Sequence, residues 1–402
     1  MLRRLGFGVL AIGLPVAAFL TPRGIVVTMP VAAALFVAAA ALDGSYRPLR
    51  TVGAGLAGST GAAATLFGIV WAAVTLLWSP VPGVSGERLG SVLGSLAVGF
   101  AAYLALPDRM RASNMYLLPI GVAAAALLAI VVSLAGGTPR PAGGEDLRSV
   151  ERGFAVAILF TWPAVAWLRS RDRDGAAILL VVVVCAATAI VPQGFAPVAL
   201  SVGALTYVLA ALGGARAALA VGAVTAAAVL VAPAIPFVLL SGFGGPAVAP
   251  GSWLDAVVAW RDVVAAAPGR LFTGHGFGTL LPARFAGLLP PATPEVLLVQ
   301  VWHDLGVVGA AAVAGALFGG LRGAARGHSE LLPGVAAAFA SAFTLSSLGI
   351  GGTQAWWPAA LSATGLVFVA AGRAQFRTRR PQAALSPDSF RPPVRAGRKD
   401  AA

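Results

Sequence analysis

The sequence predicts an all-α polytopic membrane protein with about twelve transmembrane helices and one large extracytoplasmic loop between spans nine and ten. Three observations lead to this fold class. Hydrophobic residues make up 58% of the chain and charged residues only 11%, whereas soluble domains carry about 25% charged residues. Apolar segments of bilayer-spanning length recur along the chain. The basic residues then collect on one side of the resulting topology.

Each span is expected to be helical, because a helix pairs its own backbone N–H and C=O groups in lipid. The twelve predicted spans are Leu5–Leu20, Ile25–Leu42, Val52–Leu77, Leu89–Leu106, Tyr116–Leu134, Phe154–Leu168, Ala176–Val191, Phe195–Leu212, Ala217–Leu240, Val296–Leu321, Leu331–Leu348 and Ala355–Ala371. Residues 1–372 therefore form a transmembrane domain. Residues 373–402 are predicted to be a basic, disordered cytoplasmic tail.

The charge distribution orients these spans. With the N-terminus in the cytoplasm, 20 of the 28 Lys and Arg residues fall on the inner side. The 15 acidic residues divide almost evenly, so the whole net charge of +13 lies inside, as the positive-inside rule expects. Both termini are then cytoplasmic, and the high pI indicates a topology and not nucleic-acid binding. The expected partner is the lipid bilayer.

The segment Ser241–Glu295 is the one long stretch that is not membrane-like, so chemistry in water is expected there. Within it, Ser252–Ala267 predicts an amphipathic helix that begins at a serine N-cap and ends before a proline. The glycine-rich stretch Leu271–Leu281 predicts a loop rich in turns. Thr293 is the predicted N-cap of the tenth span, which places Glu295 in its first turn.

Three short motifs occur in a fixed order around this loop. They are Trp78-Ser79-Pro80-Val81-Pro82 after span three, Trp260-Arg261-Asp262 followed by Leu271–Gly278, and Gln300–Gly309 on span ten. Together with the twelve spans, this order resembles the O-antigen ligase and polymerase family of bacterial inner-membrane glycosyltransferases. The resemblance implies a multi-pass protein of the bacterial cytoplasmic membrane. It also implies transfer or polymerisation of a polyprenyl-diphosphate-linked glycan onto a glycan or lipid acceptor, without a metal or other cofactor.

Two positions depart from the pattern of that family. A His-Asn pair of the family falls on Glu295-Val296, and an arginine one turn before the loop tryptophan falls on Ala256. Two alternatives therefore stay open beside the glycan ligase or polymerase. One is a membrane permease or transporter subunit, and the other is a non-catalytic relative that binds a lipid-linked glycan.

The proposed chemistry needs cations for the diphosphate and a base for the acceptor hydroxyl. The cations available in the loop are Arg261, Arg270 and Arg284. The candidate catalytic bases are Glu295, His303 and His275. Two roles are predicted for the three glycines Gly274, Gly276 and Gly278. They either let backbone N–H groups approach a phosphate or only form turns. The lone Cys185 offers no disulfide partner and no metal-ligand spacing.

Overall fold

The computed structural model describes residues 1–135, 144–191, 194–242, 253–327, 329–352 and 354–375. Within these residues the protein is all-helical and contains no strand, which confirms the predicted all-α class. The helices are α1 (Leu2–Leu20), α2 (Gly24–Asp43), α3 (Leu49–Ala57), α4 (Thr60–Trp78), α5 (Pro82–Ala105), α6 (Ala112–Leu134), α7 (Gly144–Arg169), α8 (Asp174–Ile190), α9 (Phe195–Ser241), α10 (Trp253–Ala266), α11 (Arg270–Thr273), α12 (Leu280–Phe285), α13 (Leu297–Arg326), α14 (Leu332–Ser347) and α15 (Trp356–Ala374).

Seven of the described helices are long and apolar enough to cross a membrane, namely α1, α2, α4, α5, α6, α9 and α13. Helices α8 and α14 are apolar but shorter. Many large apolar side chains on these helices are exposed, for example Leu66 on α4 and Leu205 on α9. Exposed apolar surface of this extent is stable in lipid and not in water, so the chain is a membrane protein.

Helix α7 lies at the centre of the bundle. Every residue from Phe154 to Leu168 is buried, because α1, α6, α8, α14 and α15 surround this part of the helix. Trp162 and Trp167 are among the largest fully buried side chains. A helix that is apolar on all faces is expected in such a position.

One predicted span is divided, and two others are separated only by a break inside one long helical segment. Val52–Leu77 is divided, because α3 ends near Gly58 and the Ser59 hydroxyl accepts from the Ala62 N–H to cap the start of α4. The eighth and ninth predicted spans both lie in α9, which consists of two helices that meet at Gly214, within the predicted connection between these spans. Gly214 interrupts α9 with φ 54° and ψ −134°, a backbone conformation that glycine adopts without a Cβ clash.

The predicted N-cap of the tenth span is wrong, although the span itself begins within one residue of the predicted Val296. The chain stays extended through Val296, with φ −105° and ψ 153°, and α13 begins at Leu297. The Thr293 hydroxyl is buried without a hydrogen-bond partner among the described residues, so it does not cap the helix. Glu295 precedes the first turn and does not lie in it.

Most other boundaries lie within a few residues of the predicted ones, but α5 begins at Pro82 and not at Leu89, and α7 begins at Gly144 and not at Phe154. The amphipathic helix is seen as Trp253–Ala266, and its predicted N-cap Ser252 lies outside the described residues, as do residues 243–251 of the loop. Arg373 belongs to α15, where its Nη1 donates to the Leu106 carbonyl at 2.5 Å. The predicted tail from residue 376 onward is also outside the described residues.

Candidate functional site

The candidate site is built around a break in α13. Gly306 has φ 65° and ψ −163°, which interrupts the helix after its first turns. Three successive carbonyls before the break accept hydrogen bonds from outside the helix. The pairs are His275 N–H to His303 O at 2.8 Å, Gly276 N–H to Asp304 O at 3.0 Å, and Trp71 Nε1 to Leu305 O at 2.9 Å. The glycine-rich loop and α4 thus satisfy backbone groups that a broken membrane helix leaves unpaired.

The glycines of this loop allow its backbone to touch α13 directly. Gly274 has φ 71°, and a Cβ there would lie 2.3 Å from the Asp304 carbonyl oxygen. Gly276 and Gly278 also have positive φ. The N–H groups of all three glycines donate to acceptors within the protein. The Gly274 N–H, for example, donates to the Arg270 carbonyl at 2.8 Å. This arrangement favours the turn-forming role of the three glycines over phosphate binding.

The buried Asp304 carboxylate holds the next part of the loop. Its Oδ2 accepts from the Gly278 N–H at 2.9 Å. Its Oδ1 accepts from the Leu280 N–H at 3.0 Å, from the Thr279 hydroxyl at 3.2 Å and from His303 Nδ1 at 2.9 Å. Asp304 is only 2% exposed, so these donors replace the water that a carboxylate otherwise requires.

Two imidazole rings stack beside this carboxylate. The rings of His275 and His303 have centroids 4.3 Å apart and an interplanar angle of 9°. Each Nδ1 faces an oxygen, namely the His303 carbonyl at 3.1 Å for His275 and the Asp304 carboxylate for His303. In a neutral ring Nδ1 then carries the proton, and Nε2 is left as a hydrogen-bond acceptor. Neither Nε2 has a hydrogen-bond partner among the described residues.

A small cavity of about 20 Å³ opens next to the two rings. Its polar lining comes from Arg270, His275 and His303, and its apolar lining from α10 and α13, including Trp260 and Trp302. This volume accommodates a water-sized group. Arg270 itself is exposed at the mouth of the cavity, so an anion larger than the cavity can approach it from the surface.

The surroundings of His275 shift its protonation. Burial is the largest cause that lowers the pKa of His275 below its ordinary value of 6.5. The neighbouring His303 and Arg270 lower this pKa further, and Asp304 has the opposite effect. Desolvation disfavours the imidazolium form, and a nearby cation adds to this effect. His275 is therefore a neutral imidazole at pH 7.

The lowered pKa predicts a pH dependence of stability. Below about pH 6.5 the unfolded chain binds a proton at His275 more readily than the folded one. The free energy of unfolding therefore falls as the pH drops from 7 to 5, by at most about 1.4 kcal/mol per pH unit from this group. His275→Asn, whose amide can replace the Nδ1 bond to the His303 carbonyl, is expected to remove this part of the slope. Denaturant unfolding in detergent at pH 7, 6 and 5 checks it, and equal slopes in both proteins contradict it.

The structure separates the predicted site residues into two groups. Arg270, His275 and His303 come together around the cavity. Arg261 pairs with Asp262 at 2.7 Å. Arg284 pairs with Glu295 at 2.5 Å, and neither residue lines that cavity. Of the three predicted loop cations, Arg270 is the one whose guanidinium group has no hydrogen-bond or ion-pair partner among the described residues.

The turn that contains Trp78–Pro82 packs against the same loop. The Thr75 hydroxyl accepts from the Phe277 N–H at 3.1 Å, and Arg88 Nη1 donates to the Gly278 carbonyl at 2.6 Å. Sequence reasoning missed Trp71 and Thr75, and it assigned neither Arg88 nor Asp304 a role in holding the loop. The order of the motifs was the only signal that these segments belong together.

Among the described residues, no group of three or more His, Cys, Asp and Glu side chains is close enough to hold a metal ion. No protein-family model, no curated protein and no solved structure matches this chain.

Proposed function

We propose that this protein transfers or polymerises a glycan carried on a polyprenyl diphosphate, with a glycan or lipid as acceptor. The observation that carries the proposal is the convergence of the unpaired Arg270 with His275 and His303 at one cavity. A guanidinium group can pair with two phosphate oxygens. A neutral imidazole can accept the proton of an attacking hydroxyl. The two groups needed for transfer from a diphosphate therefore lie side by side.

The proposed reaction uses these groups as follows. The acceptor hydroxyl oxygen attacks the anomeric carbon, and its proton passes to the free Nε2 of His303. The bond from the anomeric carbon to the diphosphate oxygen breaks, and the leaving polyprenyl diphosphate takes the electron pair. Arg270 stabilises the charge that develops on that leaving group. Asp304 orients His303 through Nδ1 and stabilises its protonated form, as a carboxylate does in other Asp–His pairs.

The location of the site agrees with this donor. Phe272 and Phe285, on the short helices that flank the glycine-rich loop, are 70% and 84% exposed. Exposed phenylalanine side chains next to an arginine fit a segment that lies at the membrane interface. The isoprenoid chain of the donor can lie there in lipid, while its diphosphate reaches Arg270.

The proposal includes the full topology. In this topology the protein crosses the cytoplasmic membrane of a bacterium twelve times. The loop of residues 241–295 lies outside that membrane, and both termini lie in the cytoplasm. The distribution of basic residues supports it, since the net charge of +13 falls on one side. Donor and acceptor then meet on the outer face, where Arg270 is exposed.

The role of Arg270 predicts the effect of a substitution. Arg270→Gln is expected to lower glycan transfer by about tenfold to a hundredfold, since a charge-assisted hydrogen bond contributes about 1.5–3 kcal/mol. The measurement is the amount of surface polysaccharide in a strain that lacks the native gene and carries the variant. Arg261→Gln is the matched control, because Arg261 lies in the same loop but pairs with Asp262. It is expected to restore normal polysaccharide.

The same strains separate the alternatives. A deletion that leaves every surface polysaccharide unchanged but abolishes uptake of a solute supports a permease. The small cavity and the engagement of Glu295 with Arg284 favour a non-catalytic binding protein as the second candidate. In that case the purified protein binds polyprenyl diphosphate through Arg270, and His303→Asn leaves the cellular function intact. If the protein catalyses glycan transfer, His303→Asn is expected to impair the cellular function.

A further inference from the structure

A second cavity lies far from the loop site along the chain. It is a groove of about 780 Å³ between α3 and the C-terminal end of α5. Its polar end is formed by Arg47, Tyr103 and Asp108, and its apolar wall by Val52, Leu56 and Phe100. None of these residues takes part in the proposed transfer. The groove thus combines a charged end with an apolar length.

The polar end carries more positive than negative charge. Arg47 donates from Nε and Nη2 to one Asp108 oxygen, at 2.8 and 2.5 Å. Arg47 and Arg373 both lie over the Tyr103 ring, with Cζ atoms 5.7 and 5.3 Å from its centroid. Arg373 is buried, and its Nη2 has no hydrogen-bond partner among the described residues. Arg373 Nη1 donates to the carbonyls of Leu106 and Pro107, so Asp108 pairs with Arg47 alone. The positive charge of Arg373 is left to attract an anion to this end of the groove.

The apolar length of the groove is open. Val52 and Leu56 face it from α3, and Phe100, which is 40% exposed, faces it from α5. A Cβ on Gly55, which also lines the groove, would meet no atom within 4 Å. A hydrocarbon chain fills such a space between membrane helices, because unfilled apolar surface forfeits dispersion contacts.

We propose that this groove binds an anionic phospholipid, with its phosphate at Arg47 and an acyl chain along Val52, Leu56 and Phe100. Basic pockets between membrane helices bind the headgroups of anionic lipids in this way. The charged end and the apolar length match the two parts of such a molecule. The assignment depends on the protein lying in a bilayer and not on the glycan-transfer reaction.

Native mass spectrometry of the purified full chain tests this site. The probes are phosphatidylglycerol and phosphatidylcholine with identical acyl chains. The wild-type protein is expected to retain phosphatidylglycerol in preference, and Arg47→Gln to reduce that preference about fivefold, the effect of one arginine near an anionic lipid. Asp108→Asn removes the competing carboxylate and is expected to increase the preference. Arg261→Gln is the matched control, because Arg261 also pairs with one aspartate. This variant is expected to leave the preference for phosphatidylglycerol unchanged.

A filling variant tests the apolar part independently. Gly55→Leu places a side chain in the groove and is expected to lower retention of both lipids, without loss of the thermal transition. Equal retention of the two lipids by the wild-type protein overturns the proposal, and so does an Asp108→Asn variant without increased preference. Displacement of the bound lipid by excess inorganic phosphate also overturns it, because the site then recognises the ion and not the lipid.

Discussion

Asp304→Ala is expected to detach the glycine-rich loop from α13 and to abolish glycan transfer. The Asp304 carboxylate accepts from two backbone N–H groups, one hydroxyl and one imidazole in a buried position. Removal of the acceptor leaves the two N–H groups and the His303 Nδ1 without partners, while the Thr279 hydroxyl keeps the Gly276 carbonyl at 2.7 Å. Each unsatisfied buried group costs about 1–3 kcal/mol. Since water can enter part of the space, we expect a total loss of roughly 3–6 kcal/mol in the free energy of unfolding.

Two measurements check this prediction. Denaturant unfolding in detergent gives the loss of stability, and hydrogen exchange at residues 275–280 shows whether the loop has detached. Asp262→Ala is the control, because Asp262 is half-exposed and holds a single surface ion pair with Arg261. It is expected to cost no more than about 1 kcal/mol. Similar losses in both variants contradict the anchoring role of Asp304.

Gly274→Ala is expected to have the second-largest effect. The backbone of Gly274, at φ 71° and ψ 179°, lies in a region that is almost restricted to glycine, and the strain there costs about 1–3 kcal/mol. The new Cβ also lies 2.3 Å from the Asp304 carbonyl oxygen, so the loop or α13 has to move. Overpacking of this kind adds about 1–3 kcal/mol. The loop is then displaced from the break in α13, and His275 no longer stacks on His303.

Gly287→Ala is the matched control for the close approach. Gly287 has an almost equal φ of 73°, but a Cβ there meets no atom within 4 Å. This variant therefore carries the cost of positive φ alone, about 1–2 kcal/mol. Thermal unfolding of both variants in the same detergent isolates the contribution of contact with α13. If the two variants unfold at the same temperature, the tight packing of the loop on α13 is not important for stability.

The fold class follows from local composition, and the structure confirms it. Any sequence with such long apolar runs has to pair its backbone groups internally, so helices are the expected result. The break at Gly306 was less accessible to sequence reasoning, because it lies inside a predicted span, whereas Gly214 lies in the predicted connection between spans eight and nine. Gly306 is one glycine among 50. Only the backbone geometry distinguishes it from the others, because glycine also occurs inside regular helices.

The roles of the individual site residues depend on contacts between distant segments. Arg261, Arg270 and Arg284 are equivalent cations when only their positions in the loop are known. Their difference arises because Asp262 and Glu295 neutralise two of them. Likewise, Glu295 was a candidate base because it falls where the resembling family has a His-Asn pair, whereas the structure places it in an ion pair with Arg284 at the surface.

By itself, the sequence determined that this is a helical membrane protein with one glycine-rich region suited to contact with water. These properties depend on composition and on the length of apolar runs, which are local quantities. Only the tertiary structure decided that His275 stacks on His303, that Asp304 holds the loop, and that Arg270 stays unpaired beside them. The reason is that each of these features is a contact between chain segments far apart in sequence, such as the Trp71 indole and the Leu305 carbonyl. Residue spacing along one helix or loop carries no information about such contacts.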